Sequence, residues 1–182
     1  MTPRAACLLV VLCVGCQTTA VKESWQTKLD RELPVLGHRN WIVVADSAYP
    51  AQASPGIETV YAGGDLLATL RAVLAAIDRA KHVEPVAHLD AELDHVPESL
   101  SPGAETFRNE LKEVLKGRRV DSIPHADIMR RLDEAGKTFR ILMIKTDLAI
   151  PYTSVFLELD CGYWGPEKEK KLREAMAARK SG

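Results

Sequence analysis

A chain of 182 residues is long enough for one ordinary domain and hardly for two. Hydrophobic residues make up 46% of it and charged residues 27%, which argues against global disorder. The net charge of −1 and the 5% of aromatic residues give no sign of a surface for nucleic acid, so no nucleic-acid partner is expected.

The N-terminus has the pattern of an export signal. Arg4 is the only charged residue before an apolar run from Ala5 to Val14, which is shorter than the ~20 residues that span a bilayer but matches a signal-peptide core. The run ends in Leu12-Cys13-Val14-Gly15-Cys16, which resembles a bacterial lipobox, although Cys13 stands where leucine is usual. We expect residues 1–16 to form a signal peptide ending at a lipidated Cys16. The protein would then be exported and anchored to a membrane of the cell envelope; plain secretion, or a start codon placed too early on a cytosolic protein, is the alternative.

Cysteine usage agrees with a lipid anchor. Cys7 and Cys13 would leave with the signal, so the exported chain would keep only Cys16 and Cys161. A single unmodified thiol cannot form an internal disulfide, and no CxxC spacing suggests zinc. We therefore expect neither a disulfide scaffold nor a metal site built on cysteine.

The segments that follow alternate between helix and strand patterns. A short helix is predicted from Trp25 to Leu33, with apolar residues spaced four apart. The almost purely apolar run Trp41–Ala45 is typical of a strand buried on both faces, and Ile57–Ala62 is predicted as a second strand. Asp65 is a candidate N-cap for a helix over Leu66–Ala80, which carries a clear apolar stripe.

The rest of the chain continues this alternation. The predicted elements are a strand over Glu84–Leu93, a helix opened by Ser101-Pro102 and running to Leu115, a strand over Val120–Ile123, a helix over Ala126–Ala135, and strands over Phe139–Lys145 and Val155–Leu159. The pattern predicts an α/β fold, a three-layer α/β/α sandwich around a roughly six-stranded mixed sheet. Residues 17–28 are assigned to a linker, 29–164 to this domain, and 165–182 to a charged C-terminal tail that is either a solvated helix or a frayed end.

A histidine and a carboxylate flank the first predicted strand. His38 precedes the strand, and Asp46 follows it at the carboxyl end, where open α/β sheets bind ligands. Histidine exchanges protons near neutral pH, so the two residues could perform acid–base chemistry. On spacing alone, however, a helix-end histidine and a loop-capping aspartate is the favoured interpretation.

Other polar residues are weaker candidates. His125 stands at a predicted helix start, and Tyr152, whose hydroxyl could relay a proton, precedes the last strand. Four polar residues alternate with apolar ones along the predicted third strand: His88, Asp90, Glu92 and Asp94. They could hold a metal ion, but a half-exposed strand is the favoured interpretation.

Several segments together resemble the family of D-ribose pyranase and L-fucose mutarotase. The stretch Leu36–Pro50 looks like that family's opening motif, a Gly-His pair and a polar pair followed by an apolar strand and an Asp-Ala-x-x-Pro sequence. Ala62–Leu67 and Glu105–Asn109 are similar to the fucose branch, and Pro151–Val155 lies where the family has a Tyr-x-Asn before the last strand. The resemblance covers residues 29–162.

The resemblance implies a site and an assembly. In that family the site lies between neighbouring subunits of a ring-shaped oligomer, and its catalytic residues match His38, Asp46 and Tyr152. A further histidine of the ribose branch corresponds to His125, and the family's asparagine is replaced by Ser154. These two residues are therefore assigned to substrate binding, and the chain is expected to form a homo-oligomer.

The activity implied is sugar mutarotation without a metal or cofactor. The enzyme would open and reclose the ring of a fucose- or ribose-like monosaccharide by moving protons to and from the anomeric hydroxyl and the ring oxygen. His38 would be the main proton-transfer residue, with Asp46 orienting it or holding a sugar hydroxyl, and Tyr152 would be the second acid–base group. The alternatives are a non-catalytic sugar-binding envelope lipoprotein of the same fold, and a protein that kept the fold and lost the site.

Overall fold

The computed structural model describes residues 23–180. Its elements, in chain order, are α1 (Trp25–Glu32), β1 (Trp41–Ala45), β2 (Ile57–Tyr61), α2 (Leu66–Arg79), β3 (Val83–Asp90), a 3₁₀ helix (Ala91–His95), α3 (Ala104–Val114), β4 (Arg119–Ile123), α4 (His125–Gly136), β5 (Ile141–Lys145), β6 (Val155–Cys161) and α5 (Pro166–Lys180). The predicted signal peptide and Cys16 lie outside the described residues. No helix within residues 23–180 is both long and apolar enough to cross a membrane.

The six strands form one mixed sheet in the order β2-β5-β1-β6-β3-β4. β5 runs parallel to β1 and β2, and β3 runs parallel to β4, whereas β6 is antiparallel to both of its neighbours. The carboxyl ends of the other five strands and the start of β6 therefore meet at one end of the sheet. We call this the carboxyl end of the sheet, and the opposite end the amino end.

Helices cover both faces of the sheet. α1, α2 and α3 pack on one face around a core that includes Leu29, Leu70 and Leu111. On the other face, Ile128 and Leu132 of α4 pack in a second core with residues of β1, β5 and β6. The predicted three-layer α/β/α arrangement is therefore confirmed.

Two helix starts show how capping sets the element boundaries. Asp65 caps α2 as expected, because its Oδ1 accepts from the backbone N–H of Ala68 at 2.6 Å. α3 begins at Ala104 and not at the predicted Ser101-Pro102, because Gly103 precedes it with a left-handed φ of 93°. The cap there is Glu98, whose carboxylate accepts from the N–H of Gly103 and of Glu105.

The third strand differs most from its prediction. β3 ends at Asp90, and the next residues form the 3₁₀ helix instead of continuing the strand. The half-exposed interpretation is wrong, since His88 and Asp90 are only 2% and 3% exposed. β3 lies between β6 and β4, and the rings of Trp41 and His125 stand against these two side chains.

The structure at both ends of the described chain differs from the predicted linker and the predicted tail. Residues 25–28, which the linker assignment included, belong to α1, where Lys28 and Leu29 are buried. The charged tail forms the helix α5, which is exposed along nearly its whole length. Of the two alternatives for the tail, the solvated helix is the one that the structure contains.

Candidate acid–base site

Four of the five predicted site residues gather at the carboxyl end of the sheet. Asp46 follows β1, and Tyr152 and Ser154 immediately precede β6, which starts at the same end because it runs antiparallel. His125 is the first residue of α4, joined to the end of β4 by Pro124 alone. The site is therefore assembled from turns that leave or enter neighbouring strands, where open α/β sheets place ligands.

Asp46 and Ser154 form a closed hydrogen-bonded pair. The Ser154 hydroxyl donates to Asp46 Oδ2 at 2.7 Å and accepts from the Asp46 backbone N–H at 3.1 Å. The other carboxylate oxygen, Oδ1, accepts from the N–H of Ala48 at 2.9 Å. Asp46 thus caps its own loop, as spacing alone suggested, and it also joins β1 to the segment before β6.

His125 and Asp90 form a dyad. His125 Nδ1 lies 3.1 Å from Asp90 Oδ1, and the Asp90 side chain is 1% exposed while that of His125 is 40% exposed. A carboxylate in this position holds the proton on Nδ1 and leaves Nε2, which has no partner within residues 23–180, available for proton transfer. Burial raises the pKa of Asp90, His125 opposes this, and the nearby carboxylates of Glu92 and Asp46 raise the pKa further.

The start of α4 fixes the position of this histidine. The backbone N–H of His125 donates to both carboxylate oxygens of Glu92, at 3.1 and 3.0 Å. A carboxylate at a helix N-terminus satisfies a free N–H group and interacts favourably with the helix dipole. Glu92 and Asp90 therefore hold the main chain and the ring of the same residue.

Tyr152 stands against the His125 ring. The two rings meet edge to face, with centroids 5.7 Å apart. Tyr152 has a positive φ of 61°, which is uncommon for a bulky residue. Its side chain is 39% exposed at the surface. Tyr152 and Glu92 also line a cavity of about 390 Å³, whose other walls include Val96, Leu100 and Pro151.

His38 does not join this group within one chain. It precedes β1, at the amino end of the sheet, where its side chain is 59% exposed and its Nδ1 lies 4.0 Å from Asp160. The five residues of β1 separate it from Asp46, which at ~3.3 Å per residue amounts to about 17 Å. The interpretation that Asp46 orients His38 is therefore wrong for a single chain.

Sequence reasoning missed Asp90 and Glu92 as members of the site. The alternation of polar and apolar residues predicts a strand that continues to Leu93, whereas Asp90 is the last residue of β3. A strand ending at Asp90 would have made this carboxylate a site candidate by the same rule that selected Asp46, since both then follow the carboxyl end of a strand. Within residues 23–180, no group of three or more histidine, cysteine or acidic side chains could hold a metal ion.

The site thus defines a class of α/β protein with a histidine–aspartate dyad and a tyrosine at the carboxyl end of a mixed sheet. No protein-family model matches the chain, and no curated protein sequence matches it. Among solved structures, Bacillus subtilis RbsD complexed with D-ribose is similar, with 16% identity and a TM-score of 0.54 over 80% of this chain and 99% of that chain. FucU from Bifidobacterium longum, also 16% identical, gives a TM-score of 0.48 over 76% of this chain and 95% of that chain.

The match to RbsD establishes the fold. The match covers almost the whole of RbsD and 80% of this chain. The resemblance to the ribose pyranase and fucose mutarotase family is confirmed at this level.

Proposed function

We propose that this protein is a monosaccharide mutarotase that opens and recloses the ring of a ribose- or fucose-like sugar. The observation that carries the proposal is the His125–Asp90 dyad, with Nδ1 held at 3.1 Å by a buried carboxylate and the ring partly exposed beside Tyr152. The shared fold with RbsD, which was solved with D-ribose, supports a sugar as the ligand.

The reaction requires two proton transfers and no redox step. In the opening direction, Nε2 of His125 takes the proton from the anomeric hydroxyl, and the anomeric C–O bond becomes a carbonyl. The bond from the anomeric carbon to the ring oxygen breaks, and that oxygen receives a proton from the Tyr152 hydroxyl or from a second histidine. Reclosure reverses these steps: attack on either face of the carbonyl gives the two anomers, and attack by another hydroxyl changes the ring size. Positioned acid–base groups typically accelerate such proton transfers by about 10²–10⁴-fold.

The second histidine in this proposal is His38 of a neighbouring subunit. Within one chain His38 and the dyad lie at opposite ends of the sheet. A head-to-tail oligomer brings the amino end of one copy to the carboxyl end of the next, and such contacts form a ring when the rotation between copies closes. We therefore propose a homo-oligomer in which His125, Asp46 and Tyr152 of one subunit face His38 of its neighbour.

A second candidate function is sugar binding without catalysis, in which the sugar is held by other groups and Ser154 only fixes Asp46. The Ser154 hydroxyl donates to and accepts from Asp46, so little of its hydrogen-bonding capacity is left for a sugar. The family's asparagine would offer a separate donor and acceptor. This alternative would suit an exported protein that hands a sugar to another component.

NMR exchange spectroscopy on L-fucose and D-ribose tests the enzyme proposal. The purified protein should accelerate exchange between anomers or ring forms of at least one sugar, and His125→Ala and His38→Ala should each lose most of that acceleration. Arg79→Gln is the control, because this exposed arginine lies at the end of α2, on the opposite face of the sheet from α4.

The outcomes separate the candidates. Unchanged exchange in His125→Ala would remove the dyad from the mechanism, and unchanged exchange in His38→Ala would confine the site to one subunit. Sugar binding without acceleration would establish the binding protein, and no binding of any sugar would indicate that the fold is retained and the site is lost.

The proposed function also includes a cellular location. We propose that the chain is exported and anchored to the cell envelope through a lipid on Cys16, because the segment before it resembles a lipobox. Mass spectrometry of the N-terminus and membrane fractionation of Cys16→Ser test this. An unaltered protein whose mature N-terminus is not a lipid-modified Cys16 would contradict it.

A further inference from the structure

The C-terminal helix α5 leaves most of its surface exposed. It follows the end of β6 and spans 15 residues, and every residue from Pro166 to Arg179 is exposed except Glu169, which is half-buried. Helices in globular proteins are stabilised mainly by burying an apolar face, and an isolated helix of about 12–15 residues is only marginally stable in water. The exposed surface of α5 is therefore a candidate for contact with a partner outside the chain.

The positive charge of α5 is concentrated on one side of the helix. The helix contains six lysine or arginine residues and three glutamates, whereas the whole chain has a net charge of −1. Residues three or four positions apart share a face of a helix. We call the basic face the one formed by Lys168, Lys171, Leu172, Ala175, Met176 and Arg179, and none of the three glutamates occupies a position on it.

Apolar side chains accompany this charge. Leu172 and Met176 lie one turn apart on the basic face, and both are exposed. Tyr163 and Trp164, which directly precede the helix, are exposed as well. The indole N–H of Trp164 donates to Glu169 Oε2 at 2.7 Å, which holds the ring beside the first turn of α5. The helix and the two residues before it therefore present positive charge and apolar surface together.

The glutamate that borders the basic face is occupied by neighbours. Glu169 lies three residues before Leu172, and its Oε1 accepts from Nε of Arg173 at 2.6 Å while its Oε2 accepts from Trp164. Its negative charge is thus compensated within the helix. The field in front of the basic face is therefore set mainly by Lys168, Lys171 and Arg179.

We propose that the basic face of α5 binds the surface of an anionic phospholipid bilayer. Lysine and arginine side chains near such a surface are attracted to its headgroups, and their alkyl stems lie along apolar surface. Leu172 and Met176 enter the boundary between headgroups and acyl chains, where amphipathic basic helices bind. Tyr163 and Trp164 suit the same depth, because tyrosine and tryptophan are enriched at membrane interfaces.

The composition of the basic face favours a bilayer over a second copy of the chain. The cores of protein interfaces are depleted of lysine. On α5, lysine or arginine stands beside both exposed apolar side chains, so no continuous apolar stripe is available for another protein. Headgroups, in contrast, accept basic and apolar side chains side by side.

This surface is independent of the other proposals. Neither the His125–Asp90 dyad nor His38 belongs to α5, so membrane binding does not rest on mutarotase activity. Electrostatic attraction needs no covalent lipid, so it does not rest on modification of Cys16 either. Each proposal can therefore fail without the others.

Vesicle co-sedimentation of the full chain tests the proposal, with Cys16→Ser in every sample so that no lipid is attached. Vesicles of phosphatidylglycerol should bind this parent protein at least about tenfold more strongly than vesicles of phosphatidylcholine, and high salt should remove the difference. Lys168→Gln combined with Lys171→Gln should weaken binding to phosphatidylglycerol about tenfold, because two charges near the surface are lost. Glutamine is a good helix former, so the helix itself is retained.

The matched control is Lys112→Gln combined with Lys116→Gln. It removes the same charge from two exposed positions, one in α3 and one just after it. Its binding to phosphatidylglycerol should equal that of the parent protein, and equal weakening in the control would overturn the proposal by showing attraction to net charge alone. No binding to phosphatidylglycerol, or equal binding of all variants to both kinds of vesicle, would also overturn it.

Tryptophan fluorescence shows which part of the chain meets the bilayer. Trp164 is exposed, whereas Trp41 is buried and Trp25 is half-buried. Emission should therefore shift to shorter wavelength on phosphatidylglycerol vesicles, and Trp164→Phe should abolish the shift. A shift retained in Trp164→Phe would place the contact elsewhere in the chain and would refute the assignment to α5.

Sedimentation velocity without vesicles distinguishes a bilayer from a second copy. The sedimentation coefficient should be the same for the parent protein and for Lys168→Gln combined with Lys171→Gln. Dissociation of an oligomer in this variant, together with no vesicle binding by the parent protein, would assign the basic face to a contact between copies and would overturn the proposal.

Discussion

The substitution Asp90→Asn isolates the role of the buried carboxylate in the proposed reaction. Asparagine has almost the same shape, but it is neutral and can donate to Nδ1 of His125. It therefore removes the charge that stabilises the imidazolium formed when Nε2 accepts a proton, and it can also hold the wrong tautomer of the ring. Asp90 acts through His125, so it is a positioning residue and not one that touches the sugar.

The size of the effect follows from the geometry. Two unit charges about 4 Å apart attract by about 4 kcal/mol at an effective dielectric constant of about 20, which corresponds to roughly a thousandfold in rate. His125 is 40% exposed, and this exposure screens the interaction, so we expect a loss of about 10²-fold in kcat with little change in KM. NMR exchange spectroscopy measures both, and a shifted pH profile would distinguish loss of the dyad from simple structural damage.

The free energy of unfolding of Asp90→Asn shows whether the substitution damages the fold. Burial raises the pKa of Asp90 above its ordinary value of 3.8, so the ionised form disfavours the folded state. The stability that this group contributes is fully present below pH 3.8 and is lost as pH rises through the raised pKa. At neutral pH, Asp90→Asn should therefore unfold at the same denaturant concentration as the unaltered protein, or at a higher one.

A neighbouring residue serves as the matched control for Asp90→Asn. Asp94 is an exposed aspartate on the adjoining 3₁₀ helix, so Asp94→Asn makes the same chemical change outside the dyad. Its exchange rate should equal that of the unaltered protein. An undiminished rate and pH profile in Asp90→Asn would refute the dyad mechanism.

Three further predictions concern stability, measured by denaturant unfolding. Phe156→Ala should lower the free energy of unfolding by about 3–5 kcal/mol, because Phe156 is 0% exposed in the core under α4. Ser154→Ala should cost about 1–3 kcal/mol, since it leaves the N–H of Asp46 without its partner. The hydrogen bond from His88 lowers the pKa of Glu158 below its ordinary value of 4.5, so this pair stabilises the fold above pH 4.5 and the effect is lost as pH falls through the lowered pKa. Glu158→Gln should accordingly show a smaller loss of stability below pH 4.5 than the unaltered protein.

Each of these stability predictions has a result that would contradict it. A Phe156→Ala protein as stable as one carrying Leu100→Ala, at an 81%-exposed position, would mean that the core assignment is wrong. A Ser154→Ala protein with unchanged stability would show that water replaces the hydroxyl. An acid-unfolding curve of Glu158→Gln that overlays that of the unaltered protein would show that His88 does not bind the ionised carboxylate.

The layered fold could be predicted because its strands carry strong local signals. The run Trp41–Ala45 is apolar at every position, and Leu66–Arg79 has an unbroken stripe facing the sheet, so neither depends on distant context. β3 could not be bounded in the same way. Its alternating residues continue smoothly into the 3₁₀ helix, and only the tertiary packing of Trp41 and His125 shows where the strand ends.

The sequence predicts some residues of the candidate site, but neither Asp90 and Glu92 nor the arrangement of the group. Asp46, His125, Tyr152 and Ser154 meet because the single antiparallel strand β6 starts where β1 and β4 end. Strand direction depends on sheet order, which local patterns do not encode. The resemblance to the mutarotase family assigns His38 to the same group, although within one chain the length of β1 separates it from Asp46.

That separation makes a double-mutant cycle a direct test of the proposed assembly. Within one chain, His38 and Asp90 lie at opposite ends of the sheet, far beyond the ~7–10 Å within which two substitutions couple. If each chain worked alone, the losses in log rate for His38→Ala and Asp90→Asn would add. If His38 of a neighbouring subunit donates to the ring oxygen while the dyad accepts the anomeric proton, both residues serve one transition state.

The combined loss should then be clearly smaller than the sum, because removing either proton transfer already forfeits most of the acid–base acceleration. Mixing the two single variants gives the same test without a double substitution. In a mixed head-to-tail oligomer, one half of the junctions that join unlike subunits pairs an intact His38 with an intact dyad. Exchange activity should therefore rise above that of either variant alone on mixing, and additive losses together with no recovery would place both residues outside a shared site.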